Sequence, residues 1–259
     1  MTYASDRAFM SKGGGGPHPE CSYVCADHSP EWHREREFPR TVLTASQVPV
    51  LMGKNPYQTR DDLLKSKIVG DPFDGNASTW WGQHLEAPII QAAGLVTGLS
   101  TIGMNRFYRR DDLAIGATID GYIWAEKAAR FDPCADGVRG PRTGAKGANL
   151  PDADLYDRSW FHDVCQCLVA HEKPMLIEAK NTAEFVGRKY SYRDCPELYS
   201  YQVQAQMLVT GWEATLVACL VGGRDLRLWF VEADDDIQQA IILEAHAFAR
   251  EVKEAGDNA

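Results

Sequence analysis

The sequence has no run of about 18 apolar residues, the length that a membrane-spanning helix needs. Its N-terminus also lacks the charged and then apolar pattern of a secretory signal. These absences predict an intracellular protein, in the cytoplasm, without membrane contact. In that compartment the seven cysteines are expected as free thiols or metal ligands, and a disulfide framework is not expected.

Positive charge is also scarce. The chain has 27 lysine and arginine residues against 36 aspartate and glutamate residues, which gives a formal net charge of −9. This balance argues against a protein that coats nucleic acid through a broad basic surface. It leaves open an enzyme whose local basic groove lies beside an acidic, metal-binding centre.

Three common catalytic signatures are missing as well. The chain contains no Gly-x-x-x-x-Gly-Lys-Ser/Thr phosphate loop, no Gly-x-Gly-x-x-Gly after a predicted strand and no Gly-x-Ser-x-Gly elbow. A P-loop enzyme, a dinucleotide-binding domain and an α/β-hydrolase are therefore not indicated. With 44% hydrophobic and 24% charged residues, the composition is that of an ordinary globular protein.

The sequence pattern predicts one domain over residues 31–259. Residues 1–30 include the run Gly13–Gly16 and no apolar periodicity, which predicts a disordered N-terminal tail. Residues 126–170 are rich in Gly, Pro, Asp and Ala and are interpreted as a loop-rich insertion. The remaining elements follow as helices, strands, helix, strand pair and helix. This order predicts a mixed α/β (α+β) fold, with a central mixed β-sheet flanked by helices.

Two groups of cysteine and histidine residues raise the question of a zinc site. They are His18, Cys21, Cys25 and His28 near the N-terminus, and His162, Cys165, Cys167 and His171 near the end of the insertion. The spacing of the first group matches no common zinc pattern, so a tail without metal is favoured. In the second group, residues 164–169 also have the pattern of a plain strand with small hydrophobic cysteines. The role of Cys134, inside the insertion, is open as well.

The segment Pro174–Lys180 is an apolar run that ends in two charges. On a strand, Glu178 and Lys180 share one face, while Ile177 and Ala179 share the other. Charged groups near a core are costly unless they pair, bind metal or take part in chemistry. By itself, the pattern is also compatible with a strand that reaches the surface with an ordinary salt bridge.

Two further carboxylates have both a plain and a functional interpretation. Residues 113–124 are predicted as a β-hairpin with its turn at Asp120-Gly121, so Asp120 is either a turn former or a functional group. Residues 78–93 are predicted as a helix, and Glu86 lies beside its apolar stripe, where most glutamates are solvated. That stripe consists of Trp81, Leu85, Ile89 and Ala93.

Another helix is predicted over residues 196–210. A proline suits its first turn, and a glycine after its last residue gives a C-terminal stop. One side of this helix carries the amides Gln202 and Gln206.

Together these residues indicate phosphodiester hydrolysis. Asp120 and Glu178, at adjacent strand ends, can bind Mg²⁺, a hard cation that prefers oxygen ligands. Such a metal lowers the pKa of a bound water and neutralises phosphate charge. Lys180, on the same face as Glu178, can orient that water or stabilise the pentavalent centre.

These segments resemble the PD-(D/E)XK nuclease signature and, within it, the YqaJ-like viral recombinase family, to which the phage lambda-type exonuclease is related. The signature is carried by Asp120 followed by Glu178-Ala179-Lys180. The family resemblance spans about residues 32–255 and rests on five segments in the same order. They are Thr44-Ala45-Ser46 with Gly53 and Pro56-Tyr57; Trp81–Glu86; Ala117–Gly121; Ile177–Lys180; and Tyr199–Gly211.

The resemblance implies a PD-(D/E)XK core and a metal site. Asp120 and Glu178 would bind Mg²⁺, for which Mn²⁺ is expected to substitute, and the backbone carbonyl of Ala179 would be a third ligand. Glu86 would support the metal directly or through water. Lys180 would be the catalytic lysine.

The resemblance also implies contacts with DNA. Gln202 would match the family's glutamine motif and position the lysine or the active-site end of the DNA. Ser46 and Arg40 match the N-terminal element that approaches the DNA 5′-phosphate, and Arg188 is expected at the same phosphate.

The sequence departs from the family pattern at two points. Ile119 stands where the family has a proline before the first acid, a position that shapes the backbone and is not a ligand. The 57 residues between Asp120 and Glu178 exceed the usual gap, which leaves the DNA path and the oligomer contacts in that part open.

As a function, the resemblance implies a Mg²⁺-dependent exonuclease that resects linear double-stranded DNA ends, 5′→3′, in phage-type recombination or DNA processing. It also implies a single-strand annealing protein as partner, a homo-oligomer such as a trimer and, for a phage-encoded chain, the host cytoplasm. Two alternatives are an endonuclease with the same core and a non-catalytic DNA-end-binding module. Adaptation endonucleases with this core hold an iron–sulfur cluster through one early and three late cysteines, and the lack of cysteine after Cys219 counts against that version.

Overall fold

The computed structural model describes residues 21–26, 29–37, 40–70, 76–124 and 163–257, apart from residues 165, 169 and 172. The predictions for residues 1–20, for most of the 126–170 insertion and for His28, Cys134, His162 and Cys165 therefore lie outside the described residues. None of the described helices combines the length and the hydropathy of a membrane-spanning segment.

A central sheet organises the described part of the chain. Its strands are β1 (Ser22–Ala26), β2 (Leu43–Thr44), β3 (Ser100–Arg110), β4 (Ile115–Trp124), β5 (Met175–Thr182), β6 (Ala214–Val221) and β7 (Asp225–Glu232). Their order across the sheet is β1-β3-β4-β5-β6-β7, and β2 pairs with β4. The β2–β4 and β5–β6 pairs are parallel, and the other neighbours are antiparallel, which makes the sheet mixed.

Helices cover both faces of this sheet. They are α1 (Pro30–Glu37), α2 (Val48–Leu51), α3 (Arg60–Val69), α4 (Ala77–Thr97), α5 (Glu184–Gly187), α6 (Glu197–Thr210) and α7 (Asp235–Asp257). Leu176 of β5 shares a hydrophobic cluster with Val203 of α6 and Phe248 of α7. Its strand neighbour Ile177 shares a second cluster with Ile89 of α4. Because neighbouring strand residues point to opposite faces, α6 and α7 lie on one face and α4 on the other, which confirms the predicted fold class.

Strands β4 and β5 pair over a short ladder only. Its pairs are Gly121–Ile177, Tyr122–Leu176 and Ile123–Met175. The first residues of β4 pair instead with β2. The two strands therefore separate at Asp120 and Glu178, which would form the next pair in this register.

The predicted hairpin with a turn at Asp120-Gly121 is wrong. Both residues lie inside β4, and residues 111–114 connect β3 to β4 instead. Gly121 serves a close backbone approach, because a Cβ atom there would lie 2.5 Å from the carbonyl oxygen of Ile102. Glycine inside a strand often has this role. Here it follows Asp120, and the resulting Asp-Gly dipeptide is also typical of hairpin turns. The prediction of strand ends is corrected too, since β5 continues to Thr182.

Three further predictions differ from the structure. Ser22–Ala26, assigned to the disordered tail, forms β1 and pairs with β3. The described residues between 163 and 170 are helical, where a strand was predicted, and Val164 and Leu168 bury their side chains one helical turn apart. Trp81, assigned to the apolar stripe of α4, is 54% exposed.

The C-terminal half follows the prediction closely. Helix α6 ends at Gly211, which adopts the left-handed conformation with φ +75°. Strands β6 and β7 form the predicted hairpin through Gly222 and Gly223. Helix α7 buries Ile241, Ala245, Phe248 and Val252 along one side.

Candidate active site

The candidate site lies where β4 and β5 separate. Their ladder ends one pair before Asp120 and Glu178, and side chains then bond backbone groups of the two strands. The Ala179 amide donates to Oδ2 of Asp120 at 2.9 Å, and the Thr118 carbonyl accepts from Nε2 of Gln206 at 3.0 Å. The separation of the strands thus gives the acids room in the sheet while its polar backbone groups stay satisfied.

Glu178 is nearly inaccessible, with 3% of its surface exposed. Nζ of Lys180 and Nε2 of Gln202 each donate to its Oε1 atom at 2.6 Å. Nε2 of Gln206 donates to its Oε2 atom, also at 2.6 Å. A buried carboxylate is costly unless it is paired and hydrogen-bonded, and these donors meet that requirement.

Lys180 joins this carboxylate to α6. Its Nζ atom also donates to Oε1 of Gln202 at 3.0 Å and lies 5.6 Å from the ring centre of Tyr199. Burial lowers the pKa of Lys180, but the charges of Glu178 and Asp120 outweigh burial, so the pKa is raised above its ordinary value of 10.5. The lysine is therefore a charged ammonium group at neutral pH and a hydrogen-bond donor only.

Asp120 is the acid of the site whose ionised form is disfavoured. Burial raises its pKa well above the ordinary value of 3.8, and the negative charges of Glu178 and Glu86 raise it further. Lys180 and the Ala179 amide act in the opposite direction. The charge of Glu86, on helix α4, thus acts on Asp120, and its support of a metal stays a prediction.

The donor set fits a hard divalent cation. The charges of Glu178 and Glu86 both raise the pKa of Asp120, and that of Lys180 lowers it, so a bound cation would relieve the repulsion among these carboxylates. Within the described residues, no three Asp, Glu, His or Cys side chains form a group that could hold a metal by themselves. Mg²⁺ does not need one, because it commonly binds one or two carboxylates and keeps several waters.

Gln206 is the residue to which the sequence interpretation gave no role. It is only 2% exposed, and its amide nitrogen contacts both Glu178 and Thr118. The available signal was its position four residues after Gln202, which places both amides on one helix face. Spacing alone does not reveal which strand that face meets.

The three residues predicted at the DNA 5′-phosphate lie on separate elements. Arg40 is exposed and donates to the Ile68 carbonyl near the end of α3. Ser46 is exposed on the 3₁₀ turn that precedes α2 and packs against α6. Arg188 follows α5 and donates to Oε1 of Glu184 at 2.5 Å. None of the three is among the hydrogen-bond partners of Glu178 in the described part of the chain.

The described cysteines all carry free thiols. They are Cys21, Cys25, Cys167, Cys195 and Cys219. Cys25 and Cys219 are buried as small hydrophobic residues. Of the predicted zinc ligands near the end of the insertion, Cys167 and His171 belong to no metal-type group among the described residues, and His162 and Cys165 lie outside those residues.

Comparison with known proteins identifies a family. The family described as the YqaJ-like viral recombinase domain matches residues 31–213. No curated protein matches the sequence.

Solved structures share the fold. The chain is similar to an alkaline exonuclease from Laribacter hongkongensis, with 17% identity, a TM-score of 0.56 and coverage of 89% of this chain and 95% of that chain. The same exonuclease in complex with dAMP gives 18% identity, a TM-score of 0.52 and coverage of 87% and 95%. A phage-related exonuclease from Haemophilus somnus 129PT gives 12% identity, a TM-score of 0.50 and coverage of 84% and 96%. At these identities the likeness is one of fold alone.

Proposed function

The chain belongs to the family of the YqaJ-like viral recombinase domain, and we propose that it is a Mg²⁺-dependent exonuclease acting on linear double-stranded DNA ends, 5′→3′. It would hydrolyse phosphodiester bonds in phage-type recombination or DNA processing. The description of similar folds as an alkaline exonuclease and a phage-related exonuclease supports this reaction.

One observation carries the proposal. A second acid, Asp120, whose pKa is raised, lies next to the buried ion pair of Glu178 and Lys180. Glu178 and Lys180 alone would be an ordinary salt bridge. Asp120 stands beside them with a raised pKa, caused by burial and then by the charges of Glu178 and Glu86. Perturbed acids grouped in this way are typical of functional sites.

The proposed metal ligands are Asp120, Glu178 and the backbone carbonyl of Ala179, with Glu86 acting directly or through water. Mg²⁺ bound there would supply an activated water and neutralise phosphate charge. Mn²⁺ is expected to substitute, because it also prefers carboxylate, carbonyl and water ligands.

The chain's own polar groups supply orientation and positive charge. Lys180, as a permanent donor, would orient the attacking water or bind a non-bridging phosphate oxygen, and would not act as a general base. Gln202 accepts from Nζ of Lys180 and donates to Glu178, so it holds the ammonium beside the carboxylate. Its amide orientation is fixed, because lysine only donates and a carboxylate only accepts.

The DNA end would be held at the rim of this site. Arg40 and Ser46 are proposed for the 5′-phosphate, together with Arg188. Arg188 is exposed and paired only at the surface with Glu184, and such pairs contribute little, so a phosphate can replace the carboxylate at low cost. We also propose a single-strand annealing protein as partner and a homo-oligomer such as a trimer.

The test compares three DNA substrates: 5′-phosphorylated linear duplex, 5′-hydroxyl linear duplex and covalently closed circles. The two linear duplexes are used at equal concentrations of ends, and the circles at equal mass. We expect nucleotide release from linear duplex in Mg²⁺, faster with the 5′-phosphate, and none from circles or in EDTA. Equal cutting of circles would replace the proposal with the endonuclease alternative. Tight binding of DNA ends without release in Mg²⁺ or Mn²⁺ would replace it with the binding module.

A further inference from the structure

We infer that Gln206 is a positioning residue that fixes the orientation of Glu178, and that the site's affinity for a divalent cation depends on it. This inference rests on the proposed function, in which Glu178 is a metal ligand. It concerns a residue that touches neither DNA nor metal and acts through the carboxylate.

The first argument is the geometry of the Gln206 amide. Its Nε2 atom lies 2.6 Å from Oε2 of Glu178 and 3.0 Å from the carbonyl oxygen of Thr118. Both partners are acceptors only, so both amide hydrogens are used and the amide cannot be reversed. The side chain therefore ties α6 to β4 and to β5 at the point where the two strands separate.

The second argument is that the two carboxylate oxygens of Glu178 have different hydrogen-bond partners. Oε1 of Glu178 receives Lys180 and Gln202, whereas Oε2 receives Gln206. The Lys180 side chain is 21% exposed, so the Oε1 side can exchange partners when a cation and substrate arrive. Gln206 is 2% exposed, and its bond to Oε2 belongs to the fixed framework. One oxygen is thus anchored while the other remains available.

The chain supplies a matched control on the same helix. Gln204 is also 2% exposed, and both its amide nitrogen and its amide oxygen are hydrogen-bonded. It donates to the Glu232 carbonyl at 2.7 Å and accepts from the Asp234 amide at 3.0 Å, which ties α6 to the start of α7. The two glutamines have similar burial and similar bonding, and only Gln206 contacts a carboxylate of the site.

The experiment uses the full chain and the variants Gln206→Met and Gln204→Met. Titrations of Mg²⁺ and Mn²⁺ without DNA, followed by calorimetry and by the shift in unfolding temperature, give the cation midpoint. We expect Gln206→Met to weaken cation binding by about 10- to 100-fold, the usual effect of removing a residue that supports a metal ligand. With linear duplex, kcat should fall at a given Mg²⁺ concentration while KM for DNA stays unchanged. Gln204→Met should lower the unfolding temperature and leave the cation midpoint at the wild-type value.

Gln206→Ser is the second variant, in case Gln206→Met does not fold. Its side chain is too short to reach Glu178 and leaves room for water, and the same weakened cation binding is expected. A wild-type cation midpoint in either folded Gln206 variant would overturn the inference and leave the proposed function intact. A wild-type chain that neither binds these cations nor cuts DNA would overturn both, and equal losses in the Gln206 and Gln204 variants would reduce Gln206 to a structural residue.

Discussion

The sheet contains two strand segments in which an acid and a base are spaced by two residues, and only one of them is in the proposed active site. Glu178 and Lys180 lie on β5, and Asp225 and Arg227 lie on β7. Lys180 and Arg227 flank the same residue of the intervening strand, Cys219, from its two sides. In each case the base also lies over a tyrosine ring.

The two pairs differ in which partner, the acid or the base, is more deeply buried. In the β5 pair the acid is the buried partner, with side-chain exposures of 4% for Glu178 and 21% for Lys180. In the β7 pair the base is buried, with 6% for Arg227 and 20% for Asp225. Burying the base directs its hydrogen bonds into the framework, whereas burying the acid leaves the base near the open side of the site.

The partners of the two bases differ in the same way. Arg227 donates to the Gly187 and Tyr190 carbonyls at 2.9 and 2.7 Å, which fastens the chain after α5 to the sheet. Lys180 bonds only side chains in the described part of the chain, and a second acid, Asp120, stands near it. Because Arg227 donates to backbone carbonyls, its role is structural. Because Lys180 lies near two acids, it is the base proposed to act in catalysis.

The largest loss of stability is expected from Arg227→Met, which removes the base of the structural pair. It leaves Asp225 without its cation and two carbonyls without donors, and we expect a loss of about 3 kcal/mol in the free energy of unfolding. Urea unfolding measures this loss. The fraction that remains folded should cut linear DNA at the wild-type rate, and a folded but inactive variant would show that the two pairs are not separate in function.

Lys180→Met attacks the other pair. We expect kcat on linear duplex to fall about 100- to 1,000-fold, the usual consequence of losing one donor to a developing charge. Single-turnover release from end-labelled duplex measures kcat, and binding of the same duplex in Ca²⁺ serves as the control. Wild-type cutting by this variant would remove Lys180 from the mechanism and make both pairs structural.

Asp120→Asn should abolish cutting and yet stabilise the metal-free protein. The folded state raises the pKa of Asp120, so ionising this group costs stability. That cost is absent below the ordinary pKa of 3.8, grows as pH rises through that value towards the raised pKa, and is complete above it. Asn carries no charge and can still accept from the Ala179 amide.

The unfolding temperature in EDTA should therefore be higher for Asp120→Asn than for the wild type at pH 8, by about 2–4 °C, which corresponds to about 1 kcal/mol in a chain of this size. The difference should vanish at about pH 3 and below, under the ordinary pKa of 3.8. Mg²⁺ should raise the unfolding temperature of the wild type alone. A difference in unfolding temperature that stays the same at every pH would contradict the raised pKa of Asp120.

Tyr192→Phe should have the smallest effect. It removes the hydroxyl that donates to Oδ2 of Asp225 at 3.0 Å and keeps the ring beneath Arg227. We expect a loss of about 1 kcal/mol in the free energy of unfolding without a change in cutting. A loss of activity in this variant, measured on the same linear duplex, would connect the β7 pair to catalysis.

The sequence alone pointed to Asp120, Glu178, Glu86 and Lys180, because their positions depend on local periodicity and on the order of motifs. The structure brings these four charged groups into electrostatic contact, and their roles stay predictions. It placed Glu178 and Lys180 on one strand face, and α6 between residues 196 and 210, close to its observed limits. Local patterns sufficed here because a strand alternates and a helix has clear start and stop residues.

Other features depended on long-range contacts. The Asp120-Gly121 dipeptide has the chemistry of a turn, but the contact that demands this glycine comes from Ile102 on a neighbouring strand. The assignment of Gln206 required the relative placement of α6, β4 and β5. Strand β1 is stabilised by pairing with β3, and its own short sequence, flanked by glycine and proline, gives little sign of it.

The three-pair ladder between β4 and β5 has a consequence for how such proteins are recognised. It closes the two strands at the end where Trp124 leaves β4 and Met175 enters β5, while the acids lie at the opposite, open end. The register of Asp120 and Glu178 is therefore independent of how many residues connect the strands. Residues 125–162 can therefore change in number without moving either carboxylate, whereas the helical residues that follow contribute the buried side chains of Val164 and Leu168. A motif search that fixes the distance between the two acids along the chain would miss members of this family whose sites are intact.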